Sequence, residues 1–279
     1  MIVITNGSPD LASLNDAERM VYREKDRSSR TYTYDSWNSL LFELQVRAAI
    51  MEAALALNNS EVSFASFKKS RCNEQFWERK ENGAFLQRKN VRSSEAIRDI
   101  FENGSLYAFE CATAIIILLY KAVLNVIGDQ KFDKLFNNLY LYSWTYDHDL
   151  RLITLNHGAE AFGGDIQYFK NPDVNPEWIE WQGENVIKMG AGLYYGHGMG
   201  IKTGDEVIEK LNRVRIQGST VSAYLMDEVT FPDFAYLQKI VTGGDPTAQP
   251  VSSLSTIPTV LGQVVATIGG RTIVRKMQA

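Results

Sequence analysis

Cys111 is the residue best placed for covalent chemistry. It stands in ENGSLYAFECATAIIILLY, after the Asn103-Gly104 break and ahead of an apolar run. That spacing predicts a helix with the cysteine in its first turns. Unpaired N–H groups and the dipole at a helix start favour a thiolate, the attacking form. Glu110 opposes this. An ionised carboxylate ~4 Å from the sulfur is worth ~4 kcal/mol at intermediate dielectric, against ~0.3–1 kcal/mol from the dipole. Glu110 must therefore point away, carry a proton, or itself accept the thiol proton. The competing reading is plainer. A free cysteine is most often a small buried hydrophobe, and Glu110 is then an ordinary first-turn carboxylate.

A reactive cysteine needs a base and a group to orient that base. GENVIKMGAGLYYGHG supplies both residue types. Two strand-like halves flank Gly190-Ala191-Gly192, and Glu184 and His197 are equidistant from the Gly190–Ala191 peptide. A loop of two or four residues centred there sets them directly opposite, with Cβ atoms ~4.5–5.5 Å apart. A three-residue loop breaks the register. In the first case the carboxylate orients the imidazole across the ladder. In the plain reading His197 is a solvated strand-end histidine and Glu184 a surface residue. His148 in YDHDL and His157 in LNHGAE read as loop residues, and Cys72 in SRCNE has no partner in view. Trp144, Trp178 and Trp181 fall in the same half as Glu184. Trp144 and Trp181 are the candidates for walling a groove that takes an extended side chain.

The elements that must position these residues are legible in outline. Ser8 or Asp10 caps a first helix, and Asp35 or Ser36 opens a long one to about Leu57. FWERKENGAFLQRK reads as a hairpin about Asn82-Gly83, and Ser93-Ser94-Glu95 starts a helix to Phe101. The apolar helix runs from about Phe109 to Gly128, and Asp129 restarts a short one to Asn137. Strand character dominates from Leu139. Thr203-x-x-Glu206 is a capping box for a helix to Gln217, and Phe234 to Val241 is the last helix. Composition shifts at Gly243. GGDPTAQPVSSLSTIP reads as a linker, followed by two β-branched strands about Gly269-Gly270. The expected organisation is a catalytic domain over 1–242 and a linker with a β-like extension over 243–279.

The chain has 279 residues and a net charge of −4 without a long basic run, which argues against a nucleic-acid binder. Three histidines and two cysteines leave little for a structural zinc site, and no disulfide framework is expected. The run Ala112 to Tyr120 is too short to span a bilayer. MIVITNGSPDL shows no secretory signal, so the expected setting is a reducing cytosol with both thiols free.

These residues carry a resemblance. YAFECATAI around Cys111, W-x-GENVI around Glu184 and Y-x-x-HG-x-GI around His197 resemble the spore-coat protein-glutamine gamma-glutamyltransferases of spore-forming bacilli. SEAIRDIFENG at Ser94 to Gly104, FKNP at Phe169 to Pro172 and SAYL at Ser222 to Leu225 agree in order and spacing. The likeness runs from about Tyr34 to Val241. It departs between Trp144 and Phe169 and does not extend past Gly243. The resemblance implies an α+β fold with a papain-like core related to cell-wall peptidases. The nucleophile Cys111 would start a central helix packed on an antiparallel sheet, with Glu184, His197 and Glu110 in the site. It implies calcium-independent acyl transfer without a cofactor or metal. The substrates would be proteins with accessible Gln and Lys, spore coat proteins first, in the sporulating mother cell and then on the coat. Nucleic acid and membrane are not expected partners. The alternatives are a papain-like cysteine hydrolase of cell-wall peptides and a non-catalytic coat-assembly protein.

Overall fold

In the computed structural model, residues 1–156 and 158–243 are described, together with the backbone of two strands at 263–268 and 271–276. The loop expected at His157, the expected linker after Gly243 and the start of the strand expected from Thr259 lie outside the described residues. In chain order the elements begin with β1 (Ile2–Ile4), α1 (Asp16–Asp26), β2 (Tyr32–Tyr34), α2 (Trp37–Asn58), β3 (Ser63–Phe64), β4 (Trp77–Arg79) and β5 (Phe85–Gln87). Next come α3 (Ser93–Glu102), β6 (Ala108–Phe109), α4 (Cys111–Ile127), α5 (Asp129–Leu135), β7 (Tyr140–Leu141), β8 (Leu152–Leu155) and β9 (Ile166–Lys170). The rest are β10 (Gly183–Gly190), β11 (Leu193–Gly196), β12 (Gly200–Thr203), α6 (Gly204–Asn212), β13 (Tyr224–Leu225), β14 (Val229–Pro232), α7 (Phe234–Thr242), β15 (Gln263–Ile268) and β16 (Arg271–Lys276).

Local chemistry explains most boundaries. The Ser36 hydroxyl accepts the Ser39 N–H and opens α2. Gly128, at φ +77°, ends α4 in a conformation that costs other residues energy. Neither Ser8 nor Asp10 caps α1. Asp10 caps a separate 3₁₀ turn at Leu11–Ser13, and Asn15 with Glu18 forms the capping box of α1. The Thr203–Glu206 box does open α6, but the helix stops at Asn212 rather than Gln217. The following residues are drawn off to pair with 173–175, through Asn175 N–H to Val214 O and Ile216 N–H to Asp173 O.

The main sheet is antiparallel in the order β12-β11-β10-β9-β14-β8, with β13 also on β9. Its pleat separates two cores. Ile166, Ile187 and Tyr195 join the larger core with α2 and α4, whereas Val186 and Phe169 pack with Val207 and Leu211 of α6. α4 is apolar nearly all round and buried from Ala112 to Leu124 apart from Lys121, as its sequence demands. It packs on α2 and on β10, so the start of α4 is fixed relative to the sheet. β15 and β16 pair antiparallel from Gln263↔Lys276 to Ile268↔Arg271. No helix among the described residues is long and apolar enough to cross a membrane.

A buried ion network holds the other end of this packing. Lys25 Nζ meets Glu43 Oε1 at 2.6 Å, Arg47 Nε meets the same oxygen at 2.7 Å, and Arg47 Nη1 meets Asp165 Oδ1 at 2.5 Å. It ties α1 and α2 to the start of β9. Burial alone raises the Glu43 carboxyl, but the Lys25 and Arg47 charges outweigh it and hold it at about 2. Removing one partner strands buried charge, which costs about 3–5 kcal/mol. Glu43→Gln is expected to lower unfolding free energy by that order, read by urea denaturation at pH 7. Because the folded-state value is depressed, the difference from wild type should hold above the ordinary carboxylate range and shrink as pH falls toward 2.

Candidate active site

Cys111 is the first helical residue of α4 and is half-buried. Glu110 is the N-cap. Its carboxylate accepts the Ala112 N–H at 2.8 Å, the Thr113 N–H at 2.6 Å and the Thr113 hydroxyl at 2.7 Å. The carboxylate thus consumes two of the donors that a helix start offers, and the N–H of Cys111 is not among those it takes. From there Glu110 Oε2 receives the Cys111 thiol at 3.7 Å. Thr113 Oγ1 in turn accepts the Ser143 N–H at 2.9 Å, which pins the turn that carries Trp144 to the start of α4.

The β10–β11 hairpin brings the other candidates, with a different register from that expected. The loop has two residues, Ala191 and Gly192, at φ +49° and +75°, as a primed hairpin turn requires. Met189 is then an extra residue on β10, between Lys188↔Tyr194 and Gly190↔Leu193. The ladder past this bulge pairs Ile187 with Tyr195 and Val186 with Gly196. Glu184 and His197 are therefore not cross-strand partners. Asn185 stands in line with His197, while Glu184 pairs with Phe169 on β9. Gly196 makes room for the Glu184 carboxyl, since a Cβ there would lie 3.0 Å from its Cγ and Oε1. The Glu184 carboxyl meets the backbone N–H of His197. The imidazole is oriented instead by Tyr195, whose hydroxyl is 3.3 Å from Nδ1.

Electrostatics follow from burial. Glu184 and His197 are 2% and 3% exposed. Loss of water pushes the Glu184 carboxyl well up, and Glu110 adds to it, against Lys210 and the His197 N–H. Burial also pushes the Cys111 thiol well up, reinforced by Glu184 and Glu110. The thiolate that the helix dipole favours is thus not the resting form, as the closeness of Glu110 leads one to expect. Asn185 acts the other way, donating to Sγ from Nδ2 at 3.3 Å and from its backbone N–H. Burial lowers His197 to about 4, so the ring is neutral, and its Nε2 has no hydrogen-bond partner of normal geometry.

An aromatic wall adjoins these groups. The His197 ring stacks on Phe109 with centroids 4.9 Å apart, Phe64 is 6.1 Å from it, and Trp181 is 6.1 Å from Phe64. Phe64 and Phe109 are partners in the parallel β3–β6 pair, a contact with no local sequence signal. Asn185 also escaped the sequence reading. Its signal was a polar residue at an inward strand position, two before the buried Ile187. Trp144 and Trp181 are both half-buried, whereas Trp178 is largely exposed. His148 is exposed beside Asp149, and Cys72 is a free thiol pushed up to about 11 by burial.

The sequence model of the family "protein-glutamine gamma-glutamyltransferase" matches residues 1–241. The chain belongs to this family. A protein-glutamine gamma-glutamyltransferase of Bacillus cereus (strain ATCC 14579) is 44% identical over 247 residues, 88% of each chain. One from Bacillus pumilus (strain SAFR-032) is 44% identical over 245 residues, 86% of this chain and 99% of that one. A solved transglutaminase from Geobacillus stearothermophilus, described as without C-terminal extension, is 51% identical with a TM-score of 0.69, covering 72% of this chain and 96% of that one. The protein is accordingly an acyltransferase, a protein-glutamine gamma-glutamyltransferase, and the hydrolase and assembly-protein readings give way.

A transglutaminase with a neutral buried imidazole has a pH signature in its stability. The folded state of His197 titrates near 4 and the unfolded state near 6.5. Its contribution is present above pH 6.5 and is lost as pH falls to 4, by roughly 3 kcal/mol. His197→Gln should remove that component, so the acid limb of the wild-type stability curve should be steeper than that of the variant in urea titrations between pH 7 and pH 4.

Proposed function

We propose that Cys111 is the nucleophile, at the start of the central helix of a papain-like core, and that Glu110, Glu184 and His197 manage its protons. The observation that carries this is one sulfur hydrogen-bonded to Glu110 and to Asn185 and acted on by the nearby charge of Glu184. Because the resting group is a thiol, attack needs concurrent proton removal, and Glu110 Oε2 is the acceptor in reach. The S–C bond forms at the γ-carboxamide carbon of a protein glutamine, and the carbonyl π pair moves to oxygen. The Cys111 N–H is the backbone donor left for that oxyanion. When the pair returns, the C–N bond breaks. Glu184, held protonated by burial, gives its proton to the departing nitrogen, and ammonia leaves a thioester.

A lysine amine in its neutral form then attacks the thioester. Its nitrogen gives a proton to the Glu184 carboxylate, the C–S bond breaks, and Glu110 returns its proton to the sulfur. The product is an isopeptide, and the three groups are back in their starting states. With its proton on Nδ1, the neutral His197 ring would offer Nε2 to the incoming amine. Trp144 and Trp181, with Phe64 and Phe109, wall the approach and limit the water that competes for the thioester.

We read calcium as unnecessary. The ion takes six to eight oxygens, and the Asp147, His148 and Asp149 group among the described residues offers one ligand atom each. Fluorescent primary amine, casein and excess chelator test both statements at once. Wild type is expected to label casein at an unchanged rate. Cys111→Ala should be silent but folded, since the side-chain change costs about 1 kcal/mol. Labelling by that variant at the wild-type rate would sink the nucleophile, and calcium-restored loss would sink the second claim.

The substrates we propose are spore coat proteins, met in the sporulating mother cell and on the coat; the Bacillus relatives support this setting. We also propose that 1–242 is the catalytic domain and 243–279 an extension. The family match ends at residue 241, and every site residue precedes it. A chain cut after Gly243 should then turn over a small glutamine peptide within about twofold of the full-length rate. Unfolding, or loss of peptide activity, would place the extension in the catalytic fold.

A further inference from the structure

We propose that Asn185 reads the carboxamide of the donor glutamine, accepting an N–H of the leaving nitrogen on Oδ1 while its Nδ2 holds the sulfur. This deepens the assignment of Cys111 as nucleophile and rests on it. Asn185 lies on β10 opposite Tyr168 and is 5% exposed. Its Nδ2 donates to Cys111 Sγ at 3.3 Å. With that end committed, Oδ1 is the free end of a side chain that already touches the reacting atom. Oδ1 is buried without a hydrogen-bond partner.

Buried polar atoms are nearly always paired, so an orphan beside a nucleophile marks a place for a ligand atom. Glu184 Oε1 and His197 Nε2 are also buried without a hydrogen-bond partner, and either can donate or accept according to where its proton sits. Asn185 Oδ1 can only accept, so the atom set against it must be a hydrogen-bond donor. A primary carboxamide brings two N–H groups on the nitrogen that has to leave. A γ-carboxylate brings none, and its charge would face Glu110 and Glu184. A γ-ester brings no N–H either, although its carbonyl carbon is equally open to the sulfur. The bond to Oδ1 would fix the carboxamide plane with its carbon toward Sγ. Asn185 is then a specificity-determining residue, distinct from the proton-handling carboxyls.

The test compares one short peptide in two forms, γ-carboxamide and γ-methyl ester, with the same amine acceptor. Both release their leaving group after the same S–C bond forms. In Asn185→Ala the sulfur contact is lost for both substrates, but the Oδ1 contact is lost for the amide alone. Its kcat/KM for the amide is expected to fall about 10- to 100-fold further than for the ester. Asn185→Asp keeps the acceptor oxygen and loses the sulfur donor. It should slow both forms while holding the wild-type amide-to-ester ratio within about threefold. Equal losses on the two substrates in Asn185→Ala would overturn the proposal. So would collapse of the ratio in Asn185→Asp, which carries the test if the Ala variant fails to fold. Iodoacetamide alkylation gives a second reading, since loss of the Nδ2 donor should move the thiol titration to higher pH in both variants. Cys111→Ala turning over the ester at the wild-type rate would overturn the nucleophile assignment instead, a result separable from either Asn185 outcome.

Discussion

The Glu110 carboxylate closes over the first turn of α4, held there by the Ala112 and Thr113 N–H groups and the Thr113 hydroxyl. Those contacts decide the character of the site. A helix start normally lends its donors and its dipole to whatever anion lies in front of it. Here the anion is part of the chain, and the sulfur beside it meets a carboxylate rather than a positive field. The result is a thiol with a carboxylate already hydrogen-bonded to it, the contact on which the proposed proton transfer to Glu110 rests. The same threonine anchors the Ser143 turn, so the cap also sets where Trp144 stands.

Burial supplies the second constraint. Glu184, Asn185 and His197 are nearly inaccessible, and each leaves a polar atom without a partner. Such atoms cost about 1–3 kcal/mol apiece, so the surrounding fold has to offset several kcal/mol at one place. The packing of α4 on α2 and β10, and the Lys25–Glu43–Arg47–Asp165 network beyond it, are where that support lies. Strain of this kind fits the view that active sites depart from local optimality while the rest of the chain compensates.

Sequence pattern located the helices that matter because their starts carry chemical marks. Ser36, the Thr203–Glu206 pair and the apolar run after Cys111 each gave a boundary within a residue or two. The hairpin register was not legible. The expectation is a loop of two or four residues centred on the Gly190–Ala191 peptide; the actual two-residue loop sits one residue along, and with the Met189 bulge, which leaves no compositional trace, it brings Asn185 into line with His197. The first helix failed for a related reason. Asp10 does cap, yet what it caps is one 3₁₀ turn, and the capping box of the helix belongs to Asn15 and Glu18. The Phe64–Phe109 wall depends on a parallel pairing between distant segments, which no local periodicity reports.

Burial explains why a sluggish thiol suits this reaction. A cysteine exposed enough to ionise freely would sit in water, and water is the competitor that converts a thioester to a carboxylate. Burial of the sulfur raises its pKa, and on the proposed reading the same burial keeps that competitor away. On the proposed roles the cost falls on the first step, where the Glu110 carboxylate, 3.7 Å from the sulfur, would take the proton as the sulfur meets a substrate carbon. The benefit falls on the second step, where an amine must arrive before water does. An orphaned acceptor on Asn185 and a neutral nitrogen on His197 suit that order of events. On the proposed reading Asn185 Oδ1 would take an N–H of the amide that leaves, and neither side chain carries a charge that would draw water back into the site.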